Sequence, residues 1–201
     1  MRNLASPRVI KEILSEYEFR FSKSLGQNFL IDEGALAGIL SGADISEDDC
    51  VLEIGPGFGT LTQRLCGAAK KVVCVEIDKT VIPILEENLR DFDNFEIIND
   101  DIMKIGVKSL VEEKFGTENV KVAANLPYYI TTPIIMMLLE SKVKFKSITV
   151  MVQKEVAKRL CASEGTKDFG AISLAVQYFC SANYLFDVPN TSFMPPPKVT
   201  S

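Results

Sequence analysis

Glu53-Ile54-Gly55-Pro56-Gly57-Phe58-Gly59-Thr60, directly after the apolar run Cys50-Val51-Leu52, decides how this chain folds. It reads as a strand, a glycine-rich turn, then a helix carrying Leu61 and Leu65 on one face. Glycines there permit positive φ and let a ligand approach the backbone, and the helix start offers unpaired N–H groups. The next apolar run, Lys71-Val72-Val73-Cys74-Val75-Glu76, ends in a carboxylate 21 positions after Gly55. That is the spacing of a residue that holds ribose hydroxyls. A third run, Phe95-Glu96-Ile97-Ile98-Asn99, ends in Asp100-Asp101, where an acidic side chain can accept from an adenine amino group. Three successive strand ends with ligand chemistry on one sheet edge point to a nucleoside-containing cofactor.

The turn reads Gly-Pro-Gly-Phe-Gly, not Gly-x-Gly-x-x-Gly, so it departs from the pyrophosphate fingerprint. Glu53 before it suits a zwitterionic amino acid better than a pyrophosphate. Further on, the apolar strand Val120-Lys121-Val122-Ala123-Ala124 runs out into Asn125-Leu126-Pro127-Tyr128. The N6 amine of adenine is a poor nucleophile because its lone pair is delocalised into the ring. An enzyme that alkylates it must accept hydrogen bonds from the amine and hold the base by its face. Asn125 offers an amide acceptor, the Leu126 carbonyl a second, Pro127 a fixed φ and Tyr128 a stacking surface. Such a site needs an electrophilic methyl donor, so S-adenosyl-L-methionine is expected in preference to a dinucleotide.

Outward from these motifs, Ser6-Pro7 reads as an N-cap and first helical residue ahead of an apolar stripe, Val9, Ile10, Ile13, Leu14 and Tyr17. A helix with Leu36, Ile39 and Leu40 ends near Gly42. Asp78 is expected to cap a helix whose Val81, Ile82, Leu85 and Leu89 face the sheet, and Thr132-Pro133 to start another. Ser147 to Val152 reads as the fifth strand, with helix from Gln153 and again from Ala171 to Phe179; Ala182 to Val188 reads as a sixth strand. Alternating strands and helices give a doubly wound α/β fold, a mostly parallel sheet with helices on both faces.

At 201 residues and 47% apolar content the chain can bury one core. It has no run of about 18 apolar residues and no apolar leader behind a basic segment, so a soluble cytoplasmic protein is expected. The five cysteines, Cys50, Cys66, Cys74, Cys161 and Cys180, lack Cys-x-x-Cys spacing and read as reduced core residues. Histidine is absent, which removes imidazole as base or metal ligand, and no metal site is expected. Net charge is −5, yet Lys142, Lys144, Lys146, Lys154, Lys158 and Arg159 are opposed between 142 and 159 only by Glu155, and Arg20 and Lys23 lie near the expected cofactor mouth. The run is a candidate phosphate-contacting surface.

Ser24-Leu25-Gly26-Gln27-Asn28-Phe29-Leu30, Glu53 to Thr60, Glu76, Asp101 and Asn125 to Tyr129 occur in this order. Gln153-Lys154-Glu155-Val156-Ala157, Phe169-Gly170 and Phe193-Met194-Pro195-Pro196-Pro197-Lys198-Val199 follow them. By these motifs the chain, from about Phe19 to its last residue, resembles the catalytic domain of the bacterial small-subunit rRNA adenine dimethyltransferases. That family modifies two adjacent adenines near the 3′ end of 16S rRNA. One departure is Tyr129, where many members carry Asn. The resemblance implies a Rossmann-like class I S-adenosylmethionine-dependent methyltransferase fold with strand order 3-2-1-4-5-7-6, the seventh strand antiparallel. It implies that the N-terminal segment, residues 1–30, folds over the cofactor, and that Gln27, Asn28, Leu30, Gly55, Gly57, Glu76, Ile77, Asp101, Ile102 and Asn125 contact it. It makes Phe193 the second wall of the base pocket, opposite Tyr128.

Val199-Thr200-Ser201 would begin the seventh strand. The family continues from there into a small helical domain that grips rRNA, so residues 1–201 are expected to be the catalytic domain with that domain absent. The implied partner is 16S rRNA in the small ribosomal subunit, bound by a monomer, with no membrane and no metal. Two alternatives stand beside this reading. One is the large-subunit 23S rRNA dimethyltransferase of the macrolide-resistance type, against which Gly26 and the triple proline weigh. The other is a ribosome-assembly checkpoint factor for which methylation is secondary.

Overall fold

A computed structural model describes residues 2–22, 25–116 and 119–201. Helix α1 (Pro7–Glu16) and a two-residue strand β1 (Phe29–Leu30) lead into α2 (Glu33–Gly42). The repeating unit follows: β2 (Cys50–Ile54), α3 (Thr60–Cys66), β3 (Lys71–Glu76), α4 (Ile82–Leu89), β4 (Phe95–Asn99), α5 (Val107–Phe115), β5 (Val120–Asn125), α6 (Thr131–Glu140) and β6 (Ser147–Met151). After α7 (Lys154–Leu160) and α8 (Ala171–Phe179) the chain reaches a short β7 (Phe193–Met194). Strands β2 to β6 form one parallel sheet in the order β4-β3-β2-β5-β6, the 3-2-1-4-5 portion of the expected order.

The strand pattern explains the two layers. A strand buried on both faces sends alternate residues to opposite sides. Leu52, Ile54, Val73, Val75, Val122 and Ala124 enter one core with Leu110, Ile134, Leu138 and Val176 from α5, α6 and α8. Val51, Val72, Cys74 and Ala123 enter the other with Leu36, Ile39, Leu61 and Leu65 from α2 and α3. Ile10 and Ile13 carry α1 onto a third cluster, where Phe29 stacks on Phe58 at 4.0 Å beside Val81 and Ile84.

Several expectations are corrected. Residues 182–188 form no strand; Val188 and Ser201 exchange two hydrogen bonds, of 2.7 and 3.0 Å, and the ladder goes no further. A strand exists only through a pairing neighbour, and residues 182–187 have none among the described residues. Between them and β6 lies a cleft of about 920 Å³, lined largely by apolar side chains. Asp78 does not cap α4, whose N-cap is Val81; its carboxylate accepts instead from the N–H and hydroxyl of Thr80 at 3.0 and 2.6 Å. The buried face of α4 uses Ile84, not Ile82. Cys180 is exposed, so the thiols are not uniformly core residues. Helix α5 is additional; its buried Val107, Leu110, Val111 and Phe115 carry the helical spacing that announces it. No helix among the described residues is long and apolar enough to cross a membrane.

Candidate active site

Because the sheet is parallel, the C-terminal ends of β2, β3, β4 and β5 share one edge, the usual place for a ligand in this topology. Gly55, Gly57, Glu76, Ile77, Asp101 and Ile102 line a cavity there with Asn125, Leu126, Pro127 and Tyr128. Gln27, Asn28 and Leu30 join them from a strap, residues 25–30, that crosses the same cavity. Lys23 and Ser24 lie outside the described residues.

The turn after β2 makes the opening. Gly57 has φ +58°, and a Cβ there would stand 2.7 Å from the Phe29 ring, so both the conformation and the stacked aromatics demand glycine. Gly55 has φ +69° but open space, with only Pro127 Cδ at 4.0 Å from where a Cβ would be. Bare backbone therefore faces the cavity.

Glu76 is 6% exposed. Its Oε1 accepts from the Asp78 N–H at 2.9 Å and its Oε2 from the Gly57 N–H at 3.2 Å. Burial raises its pKa, and these N–H groups oppose the rise. Each carboxylate oxygen can accept more than once, so both keep capacity for a ligand. Asp101 accepts from the Met103 N–H at 3.0 Å through Oδ1 and has Lys104 Nζ 3.6 Å from Oδ2.

Glu53, 1% exposed, lies beneath the turn and accepts from the Cys74 thiol at 3.6 Å. Burial drives its pKa up to about 8. That shift favours the neutral acid, and Glu53 lines the cavity floor.

Asn125 ends β5, and its Nδ2 donates to the Asn28 carbonyl at 3.2 Å. Only the NH₂ end of an amide can make that bond, which fixes the rotamer and leaves Oδ1 as the acceptor. The Pro127 carbonyl is taken by the Ile130 N–H at 3.2 Å and the Thr131 hydroxyl at 3.1 Å. The Tyr128 hydroxyl is tethered to Ser201 Oγ, and burial raises its pKa.

Phe193 is not brought to this cavity. It is 2% exposed, inside the core formed with α2, and its backbone pairs with Leu30. Ribbon pairing of β1 with β7 turns its ring inward. The aromatic residue that lines the mouth is instead Tyr129, 57% exposed. Its place directly after Tyr128 was the available signal.

The basic run is also divided. Lys142, Lys144 and Lys146 precede β6, whereas Lys154, Lys158 and Arg159 follow it on α7. A five-residue strand, roughly 17 Å long, separates the two groups. Lys146 reaches Asp49 at 3.2 Å on the edge away from the cavity, while Lys154 pairs with Asp187 at 2.6 Å.

The sheet order and the cavity at its C-terminal edge define a class I methyltransferase. A family model described as ribosomal RNA adenine dimethylase matches residues 18–201, and the chain belongs to that family. The ribosomal RNA small subunit methyltransferase A of Alkaliphilus oremlandii (strain OhILAs) is 56% identical over 201 residues, covering 100% of this chain and 70% of that protein. The dimethyladenosine transferase from Plasmodium falciparum shares 33% identity with a TM-score of 0.75, over 86% of this chain and 60% of that one. The 23S rRNA methyltransferase ErmE shares 28% identity with a TM-score of 0.73, over 86% of this chain and 66% of that one.

Proposed function

We propose that this chain transfers methyl groups from S-adenosylmethionine to N6 of adenine in ribosomal RNA, its substrate being the two adjacent adenines near the 3′ end of 16S rRNA in the small subunit. One observation carries the reading: Asn28 orients the Asn125 amide so that Oδ1 is left to accept, in the cavity that Glu76 also lines. Identity of 56% to a small-subunit enzyme, against 28% to a large-subunit one, supports the choice of subunit.

The residues fit the cofactor. Glu76 keeps acceptor capacity on both oxygens for two ribose hydroxyls, Asp101 lines the cavity with lone pairs left for an adenine amino group beside its contacts to Met103 and Lys104, and Gly55 leaves room beside the backbone. When bound, S-adenosylmethionine supplies a methyl group already activated by a sulfonium. The chain's own residues do the rest. The target adenine leaves its stack, as a base must to be modified at its edge, and Tyr128, held through its hydroxyl, presents a ring face to it. Asn125 Oδ1 and the Leu126 carbonyl accept from the N6 amine, favour a tetrahedral nitrogen and so uncouple its lone pair from the ring; the amine gives up its proton to solvent after it has taken the methyl group. With no histidine in the chain, rate enhancement rests on alignment, which supplies up to about 7–11 kcal/mol in favourable cases, and on the placed acceptors. Phosphate contacts are assigned to Lys158 and Arg159 in the last turn of α7. The protein is placed in the cytoplasm, where small subunits mature.

The test is to incubate the full-length protein with undermethylated small subunits and isotope-labelled S-adenosylmethionine, then analyse the rRNA by mass spectrometry. Labelled dimethyladenosine at the two adjacent adenines is expected. Label confined to large-subunit rRNA, or absent from all rRNA while the cofactor binds, overturns the reading.

A further inference from the structure

Gln27 lines the cavity, but both ends of its amide are already committed. Oε1 accepts from the Ser22 N–H at 2.8 Å, and Nε2 donates to Asp78 Oδ2 at 2.7 Å. Asp78 is committed in turn. Its Oδ1 accepts from the N–H and hydroxyl of Thr80, and its own backbone N–H donates to Glu76 Oε1 at 2.9 Å. The strap is thus joined, through one side chain from a position 51 residues later, to the carboxylate at the end of β3. The Gln27 bond is charge-assisted and half-buried, the kind that contributes most among hydrogen bonds.

We propose that Gln27 and Asp78 form a latch that sets how fast the cofactor leaves, with Asp78 a positioning residue that couples the strap to Glu76. This rests on the reading of the cavity as a cofactor site. A cofactor under the strap leaves only when residues 25–30 lift, and lifting them requires the Gln27–Asp78 bond to break. The same break frees the turn whose N–H group holds Glu76. Asn28, fastened to Asn125, lies next in the chain, so a closed latch also keeps the acceptor amide in its rotamer.

Polarity makes the latch testable by exchange. In Gln27→Glu two carboxylates meet where a donor met an acceptor. In Asp78→Asn, Oδ1 must stay with Thr80, so the new amide turns its NH₂ toward the NH₂ of Gln27. The double variant restores one donor and one acceptor in reversed order, and keeps the Ser22 and Thr80 bonds. Release of tritiated S-adenosylmethionine into excess unlabelled cofactor is expected to be about tenfold faster or more in each single variant. It should return to within about threefold of wild type in the double variant. In cofactor-free protein, hydrogen exchange at the Ser22 amide should speed up in Gln27→Glu and recover in the double. A single variant that does not fold is replaced by Gln27→Met, which removes the amide without adding charge and should release cofactor faster in the same direction. Singles that release at the wild-type rate, or a double no better than the worse single, overturn the latch. A wild-type protein that retains no cofactor overturns the functional reading instead, and Ser22 exchange still reports on the pair.

Discussion

Asp49 and Glu53 stand four residues apart at opposite ends of one buried stretch, each 1% exposed, and the chain treats them in opposite ways. Asp49 meets Lys121 Nζ at 2.8 Å, Lys146 Nζ at 3.2 Å and the Ser46 hydroxyl at 2.8 Å. Burial pushes its pKa up, but these partners outweigh it and hold the carboxyl well below the usual range. Glu53 has a thiol for a partner and is driven up to about 8. The edge away from the cavity is saturated with ion pairs. The edge at the cavity keeps Glu76 on two backbone N–H groups, which fix its direction while leaving lone pairs for something else. Two equally buried carboxyl groups, Asp49 and Glu53, thus differ in charge according to who answers them.

The comparison breaks most visibly at Lys121. Lys121→Met leaves Asp49 buried with only the half-exposed Lys146 as cation, and should cost about 3–5 kcal/mol of stability in urea unfolding. Adding Asp49→Asn should return most of that loss. A Lys121→Met protein as stable as wild type would mean that the far edge is not held by this pair.

At the cavity edge, Asn125→Ala should lower single-turnover methylation by roughly a hundredfold at saturating RNA, as loss of one preorganised polar group does. Stability and cofactor affinity should change far less. Turnover at the wild-type rate would remove Asn125 from the chemistry.

The smallest effect separates the two carboxyls by pH. Folded Glu53 keeps its proton to about 8, against a reference of 4.5, so unfolding releases a proton between these values and stability falls as pH rises through them. Asp49 acts in the other direction: its contribution is present above its reference of 3.8 and is lost as pH falls below it. Glu53→Gln should flatten the neutral slope and leave the acid limb unchanged. A neutral slope identical in Glu53→Gln and wild type would refute the burial of a protonated Glu53.

Much of this was legible in the sequence, because local pattern carried it. The glycine turn, the carboxylate at Glu76 and the asparagine at Asn125 each sit where a strand runs out, and parallel strands bring their ends together. What was not legible depended on distant partners. Whether residues 182–188 make a strand is settled by what lies beside them. Phe193 turns inward because it pairs with Leu30, and nothing near it in sequence says so. The basic run looked continuous because strand β6 advances through space while the sequence advances by only five residues. Lys121 looks like an exposed interruption of an apolar strand until Asp49 is placed against it.

The ribbon of β1 and β7 also orders events in time. Leu30 pairs with Phe193, the Ile31 N–H donates to the Ser192 carbonyl at 2.8 Å, and Ser192 Oγ donates to Asp32 at 2.6 Å. The chain is made from its N-terminus, so the strap is synthesised early and waits for its anchor through more than 160 further residues. Closing so long a loop is among the later contacts of any vectorial folding route. The glycine turn and the sheet edges can be in place on the nascent chain well before the strap is fastened above them. The strap is therefore fastened only after residues 192–194 have been made, later than the sheet edge it covers.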